Sequence, residues 1–212
     1  MYVPEHFRES RIELLQEFVN HHPLATVVAD TPEGLTANHV PLRSALRPDG
    51  TGMLRGHIAR GNALWRQLEH DAPVLVIFQG ADSYISPNWY PSKREHGKAV
   101  PTWNYATVHM KGNIRFIDNI DWLRDFVTQL TDTHEGAREH PWHVTDAPED
   151  YIAAMLRAIV GFEIAVSSLV GKFKGSQNRS TVDRAGVNAG LREAGRAAPD
   201  IDELAPGSAG MR

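Results

Sequence analysis

Apolar and polar residues alternate along most of this chain, and only a few stretches place apolar residues at helical spacing. Side chains on a strand point alternately to its two faces, whereas residues three and four apart share one face of a helix. On that basis Leu24-Ala25-Thr26-Val27-Val28-Ala29 reads as a buried strand, followed by a turn at Thr31-Pro32-Glu33-Gly34. Leu35 to Ser44 reads as the returning strand, and Pro41 marks an edge or a bulge in it, because proline lacks the N–H that a central ladder needs. Arg47-Pro48-Asp49-Gly50 turns the chain into a third strand, Met53 to His57. Pro73 to Phe78, PVLVIF, is the most apolar run and reads as a central strand, with Asp82 to Ser86 continuing the sheet after a turn at Gly80. Val108 to Ile117 and Gly161 to Leu169 complete the set.

Helical spacing begins after Ser10-Arg11-Ile12-Glu13, which has the S-x-x-E form of a capping box. Ile12, Leu15 and Val19 follow it, and Pro23 stops the helix. Asn62 can cap a short helix through Leu64, Trp65 and Leu68. Trp122 to Leu130 repeats the spacing, as does Tyr151 to Val160 behind Pro148, and Ser180-Thr181-Val182-Asp183 opens one more helix. Residues 87–101 are polar and carry three prolines, so they read as a loop. From Gly195 onward the chain is rich in Ala, Pro and Gly and reads as a tail. The sum is a mainly β chain with peripheral helices, of the α+β class. A closed or nearly closed antiparallel barrel leaves the fewest exposed strand edges and is the expected architecture.

Composition narrows the chemistry. The chain has 212 residues and no cysteine, which excludes a disulfide framework, a thiolate metal site and a cysteine nucleophile. Its histidines group only as His21-His22 and as His134, His140 and His143, and none matches H-E-x-x-H or a paired finger, so no metal is expected. No G-x-S-x-G, P-loop or G-x-G-x-x-G stretch supports a hydrolase, NTPase or Rossmann reading. The net charge of -4 lends no support to DNA binding, although 22 Lys and Arg leave room for a local basic patch. The opening MYVPEHFRES is polar and no run approaches the roughly 18 apolar residues of a membrane span, so a cytoplasmic protein without membrane contact is expected.

Three segments can carry chemistry. Gly56-His57-Ile58-Ala59-Arg60-Gly61-Asn62 lies where a strand passes into a helix, and Arg60 offers a planar fork of donors suited to phosphate. Tyr84-Ile85-Ser86-Pro87-Asn88-Trp89-Tyr90 and Val100-Pro101-Thr102-Trp103-Asn104-Tyr105 bring aromatic rings and amides that could line a flat ligand. Lys172-Phe173-Lys174-Gly175-Ser176-Gln177-Asn178-Arg179-Ser180 is the densest basic and polar cluster and precedes a capped helix. Read singly, each also fits a plain structural role: a surface arginine beside a cap, an aromatic cluster that steadies a loop, and a solvated turn.

Taken in order, with the opening Met1-Tyr2-Val3-Pro4-Glu5-His6-Phe7, these segments resemble the PaiB-type FMN-binding negative transcriptional regulators from residue 1 to about Leu191. The resemblance implies an FMN-binding split β-barrel like that of pyridoxamine-phosphate oxidases, with residues 1–193 as one domain and 194–212 as a tail. It implies FMN as cofactor and a homodimer with flavin at the interface. Arg60 stands where split-barrel oxidases hold the FMN phosphate, with His57, Ala59 and Asn62 around it. Asn38, His39, Val40 and Pro41 would lie along the isoalloxazine ring and offer it backbone groups. Trp103, Asn104 and Tyr105 would approach from the partner subunit. Lys172, Ser176, Gln177 and Arg179 match the C-terminal motif of the family, which conventionally has an aliphatic residue where Gly175 stands. A regulator's partner would be DNA, yet no helix-turn-helix is evident. A flavin-dependent oxidoreductase or flavin reductase is the alternative reading. Haem handling, with His39, His57 or His109 as ligand, is a third.

Overall fold

The computed structural model describes residues 1–195. The chain runs β1 (Arg8–Glu9), α1 (Ile12–His21), β2 (Leu24–Thr31), β3 (Gly34–Pro41), β4 (Arg43–Leu46), β5 (Gly52–Ala59), α2 (Leu64–Gln67), β6 (Ala72–Ile85), α3 (Lys93–His96), β7 (Thr102–Ile117), α4 (Ile120–Glu135), α5 (Glu149–Arg157), β8 (Ile159–Lys174) and α6 (Thr181–Glu193). The strands neighbour one another in the order β3-β2-β6-β7-β8-β5-β4, and β1 pairs with β8. Where register is defined, every pair is antiparallel. No helix among the described residues is long and apolar enough to cross a membrane.

Two compact units emerge, and the long strands β6, β7 and β8 contribute residues to both. The first contains Met1–His22, Phe78–His109 and the described residues from Val170 onward. In it Phe18 of α1 meets Phe173 at 5.1 Å and His22 at 4.6 Å between ring centroids. A satellite core of Ile85, Tyr90, Val187 and Leu191 joins the segment after β6 to α6. Glycines make that contact close: a Cβ at Gly190 would lie 2.4 Å from the Trp89 ring, and one at Gly186 would lie 2.1 Å from the Trp89 carbonyl oxygen.

The second unit contains Pro23–Ile77 and Met110–Leu169. Its interior takes the inward side chains of the strands, including Val27, Leu54, Val76, Ile114 and Ile164, all fully buried. β3 and β4 stand at opposite ends of the strand order, yet Leu42 alone separates them. Two Cα steps span at most about 7 Å, so the two ends of the sheet must approach each other at this residue. Leu42 is buried and its N–H donates to the Pro23 carbonyl at 2.8 Å. Its side chain occupies room left by Gly56, where a Cβ would come within 2.7 Å of it. A smaller core of Leu123, Val144, Ile152 and Leu156 packs α4 with α5.

Several sequence expectations change. Leu35 to Ser44 is two strands, because the chain crosses at Leu42 from one end of the sheet to the other. Gly80 is no turn: β6 runs straight through it, and the missing side chain makes room for Phe18, whose ring would lie 2.9 Å from a Cβ there. β7 begins at Thr102, so Trp103, Asn104 and Tyr105 belong to a strand. β8 reaches Lys174, and α5 ends at Arg157, before Val160. Ser10 does not cap α1; the Glu9 carboxylate instead accepts from the N–H groups of Ser10 (3.0 Å) and Arg11 (2.8 Å). Ser180 does cap α6, accepting from the Asp183 N–H at 3.2 Å. The loop at 87–101 contains a single 3-10 turn, Pro87–Trp89, and α3. The expected tail lies outside the described residues from 196 on.

One buried carboxylate ties the second unit together. Glu163 on β8 lies opposite Arg55 on β5 and is 4% exposed. It accepts from Arg55 at 2.9 Å and from Arg115 of β7 at 2.6 Å. Burial pushes its carboxyl up, but the hydrogen bonds from Arg115 and Arg55 outweigh that and hold it below the ordinary carboxylate value. A depressed carboxyl stabilises the fold above its unfolded pKa, and the contribution disappears as pH falls through the folded one. Glu163→Gln should therefore lower the unfolding free energy by roughly 1–3 kcal/mol at pH 7, near the lower end because both guanidinium groups are half exposed. In urea titrations the gap between variant and native protein should close as pH drops below about 4.3. A gap that stays constant with pH would assign the effect to packing alone.

Candidate functional site

The expected site residues fall into two groups, one in each unit. In the second unit, β3 is an end strand, so one edge of its backbone has no strand neighbour. Such an edge presents a row of N–H and C=O groups. Asn38 lies on this strand and accepts, through Oδ1, a hydrogen bond from Asn62 Nδ2 at 2.7 Å. Asn62 also accepts from the Leu64 N–H at 2.9 Å, but it stands one residue before the N-cap of α2, which is Ala63 and not Asn62 as the sequence suggests. One amide contact thus brings the β3 edge and the β5–α2 turn together. His39 pairs with Thr26 Oγ1 at 3.0 Å. Val40 is buried, while Ala59 is exposed and Pro41 half-buried.

Arg60 has its donors committed. Its fork meets Asp118 twice, at 2.8 and 2.6 Å, Nε donates to the Arg157 carbonyl at 2.7 Å, and Nη2 donates to Ile159 O at 3.1 Å. The Asp118 hydrogen bond holds the guanidinium above its ordinary pKa and the carboxyl below its own. Two residues that sequence reasoning passed over complete this group. Trp65 Nε1 donates to the Arg60 carbonyl at 2.9 Å, and Arg66 donates to the same oxygen at 3.2 Å. Both guanidinium groups stack on the Trp65 ring, Arg60 at 5.7 Å and Arg66 at 4.7 Å. Arg66 is exposed and makes no ion pair among the described residues. The legible signal was the flanking of one tryptophan by two arginines around a helix start.

In the first unit, β7 and the end of β8 carry the remaining candidates. Asn104 and Ser176 are both buried, and the Ser176 hydroxyl donates to Asn104 Oδ1 at 3.1 Å. Ser176 has φ +64, a left-handed backbone that non-glycine residues rarely adopt, so the unusual conformation falls on the serine and not on Gly175. Gln177 closes this turn itself, accepting from the Gly175 N–H at 2.7 Å and donating to the Phe173 carbonyl. Lys172 sits over Tyr105 at 5.2 Å and Tyr2 at 5.9 Å. Lys174, absent from the expected set, donates to Thr102 Oγ1 and to the Trp103 carbonyl. Arg179 stacks on Tyr90 at 4.9 Å. Trp103 is 51% exposed and meets Tyr84, 44% exposed, edge to face at 5.8 Å, which leaves an aromatic pair on the surface.

Residues 1–168 match the family model "Putative FMN-binding domain". The protease synthase and sporulation protein PAI 2 of Bacillus subtilis is 36% identical over 183 residues, covering 86% of this chain and 85% of that one. A protein of Saccharomyces cerevisiae is 35% identical over 173 residues, covering 71% of this chain and 100% of its own. Among solved structures, the FAD and haem binding protein of Mycobacterium smegmatis superposes with TM-score 0.58 at 18% identity, covering 79% of this chain and 73% of that chain. The flavocytochrome Anf3 of Azotobacter vinelandii does so with TM-score 0.55 at 14% identity, covering 82% and 72%. At these identities the likeness establishes the fold, the split β-barrel of flavin proteins.

His57 is the orphan of the site. Its ring meets Phe126 edge to face at 5.8 Å, and its Nδ1 is buried without a hydrogen-bond partner among the described residues. Burial lowers its pKa, since the charged ring would lose its water. A histidine held neutral stabilises the fold above its unfolded pKa of about 6.5 and loses that contribution as pH falls through the folded value. His57→Phe should keep the aromatic contact and flatten the acid side of the stability profile between about pH 6.5 and 5. Unfolding curves for the two proteins that stay parallel over this range would contradict the assignment.

Proposed function

This chain belongs to the PaiB-type family of FMN-binding split β-barrels, and we propose that it holds FMN along the β3 edge as a homodimeric, cytoplasmic regulator. The observation that carries this reading is the Asn38–Asn62 hydrogen bond, which joins residues 24 apart and sets two amides beside an open strand edge. The donor set suits a flavin. Its ring edge needs alternating donors and acceptors, which the β3 backbone and the two amides supply. Its phosphate needs cations, and Arg66 and Arg60 flank Trp65 beside the same turn. A phosphate would compete with Asp118 for the Arg60 fork, while Arg66 is bound only to a carbonyl and is open to it.

FMN, when bound, supplies the redox chemistry, and the protein supplies orientation and electrostatics. Asn38 and Asn62 fix the ring edge, Val40 contributes only main-chain groups, and neutral His57 adds no charge beside it. The name of the Bacillus relative, which refers to protease synthase and sporulation, supports a regulatory role over turnover. Contact with DNA belongs to the same reading and would rest on Lys172 and on Lys93 and Arg94 of α3, a local patch on a chain of net charge -4.

FMN should quench on binding to the purified protein and should bind more tightly than riboflavin, which lacks the phosphate. Arg66→Ala should weaken FMN about tenfold and leave riboflavin unchanged, as for a charge-assisted phosphate contact. Asn62→Ala should weaken both ligands. Equal affinities for FMN and riboflavin in the native protein would defeat the phosphate assignment.

The homodimer has its own support. Trp103 and Tyr84 form an exposed aromatic pair, of the kind that interfaces favour. Sedimentation should give twice the chain mass of 23.6 kDa at micromolar concentration, and Trp103→Glu should shift the species toward the monomer. A native protein that sediments as a monomer would end this part of the reading.

A further inference from the structure

We propose that the first unit holds a ligand site of its own, a cavity between the segment after β6 and the start of α6 that recognises a phosphate group. The cavity measures ≈ 380 Å³ and is lined in part by Tyr90, Lys98, Asn178, Arg179 and Ser180. No described residue makes an ion pair with Lys98 or Arg179, so two cations face the cavity without a bound carboxylate. Arg179 offers a planar fork and Lys98 a compact charge, the pair of donors that phosphate sites combine. The α6 N-terminus opens at Ser180, and the Ser180 side chain satisfies only the Asp183 N–H. The other first-turn amides add donors of the sign an anion needs.

Two further observations point to a polar ligand. Tyr90 lines the cavity, and its hydroxyl is buried and has no hydrogen-bond partner among the described residues. A buried hydroxyl left alone is unfavourable, and a ligand oxygen or the water it brings would satisfy it. Positive charge is also crowded on this side of the unit. Lys174 is held below its ordinary pKa first by burial and then by Lys172 and Arg179. Asp183 is the one carboxylate in the wall. Its two oxygens accept from the Ser92 N–H at 3.1 Å and the Ser92 hydroxyl at 2.8 Å, so it fixes the wall. Burial pushes its carboxyl up, but the Ser92 and Ser180 hydrogen bonds and the nearby charge of Arg179 hold it below its ordinary value, and it closes no ion pair with Arg179. The wall is stiff for a surface cavity, because Trp89 is pressed on Gly186 and Gly190 of α6.

Inorganic phosphate and glycerol phosphate are the probes, titrated into the full-length protein by calorimetry with and without saturating FMN. Saturable binding of either, with the same affinity in both forms, is expected. The tighter of the two tells free phosphate from a phosphorylated metabolite, and either result supports the shared chemistry. Arg179→Gln and Lys98→Gln should each weaken the bound probe about tenfold. Tyr90→Phe should leave the thermal midpoint unchanged or raised and weaken binding a few-fold. Competition by FMN would overturn the proposal, because the cavity would then be the phosphate end of the flavin site. So would binding that neither cation variant alters, or no binding up to tens of millimolar. The site does not depend on the β3 reading, and loss of FMN binding in Asn62→Ala with phosphate binding intact would separate the two.

Discussion

Leu42 is the residue on which the second unit turns. An open sheet has two edges, and each is a liability unless something covers or pairs it. Here the strands at the two ends of the order, β3 and β4, are consecutive in the chain with one residue between them. That connection is too short to let the ends separate. Leu42 holds it from inside: its side chain enters the space beside Gly56 and Phe162, and its N–H binds the Pro23 carbonyl. A side chain at Gly56 would collide with both neighbours, so the glycine and the leucine are one device.

From that closure the position of the candidate flavin residues follows. β3 and β4 are not paired with each other, and the outer edge of β3 has no strand neighbour among the described residues. β5 ends next to it in the turn that carries Arg60 and Asn62, and Asn62 reaches back to Asn38. Arg60 then anchors the turn on the far side through Asp118 and two carbonyl groups. A bidentate pair of this kind contributes geometry more than energy where both partners are partly exposed. Glu163 performs the corresponding task across β5, β7 and β8, but from a buried position where leaving a partner unmatched is more harmful.

Much of this was legible in the chain because it rests on short-range physics. The alternation in Leu24 to Ala29 and in Val108 to Ile117 located strands correctly, and Ser180 announced the start of α6 by its side-chain oxygen. What escaped depended on partners distant in sequence. Gly80 looks like a turn until Phe18 supplies the reason for the missing side chain. Ser10 gives up its cap because Glu9, buried and paired with Arg11, takes the N–H groups of Ser10 and Arg11 and sets the chain to enter the helix one residue later. Strand lengths were underestimated for β7 and β8, since their polar ends, Thr102–Asn104 and Lys172–Lys174, alternate against neighbours that local pattern does not reveal. The fold family was legible from ordered motifs, whereas the donors left over after internal pairing, Arg66 and Lys98 above all, needed the structure.

That remainder is what governs ligand chemistry, and net charge conceals it. A chain with formal charge -4 looks a poor host for anions. Yet a carboxylate paired with a cation projects little field, and several are: Glu9 holds Arg11, Asp118 holds Arg60 and Glu163 lies between two arginines. Glu9 and Asp118 offset the one cation each binds and Glu163 offsets one of its two, while Asp183 binds the neutral Ser92 and keeps its own charge near Arg179. Among the described residues Arg66, Lys98, Lys172 and Arg179 have no ion pair, and three of the four lie against aromatic faces, which attract a cation without cancelling its charge. Stacking fixes where these groups stand and leaves their charge unpaired. Cations seated on Trp65, Tyr105 and Tyr90 therefore keep their charge in a chain of acidic balance, and carboxylates more than a Debye length of about 10 Å away do little to cancel it.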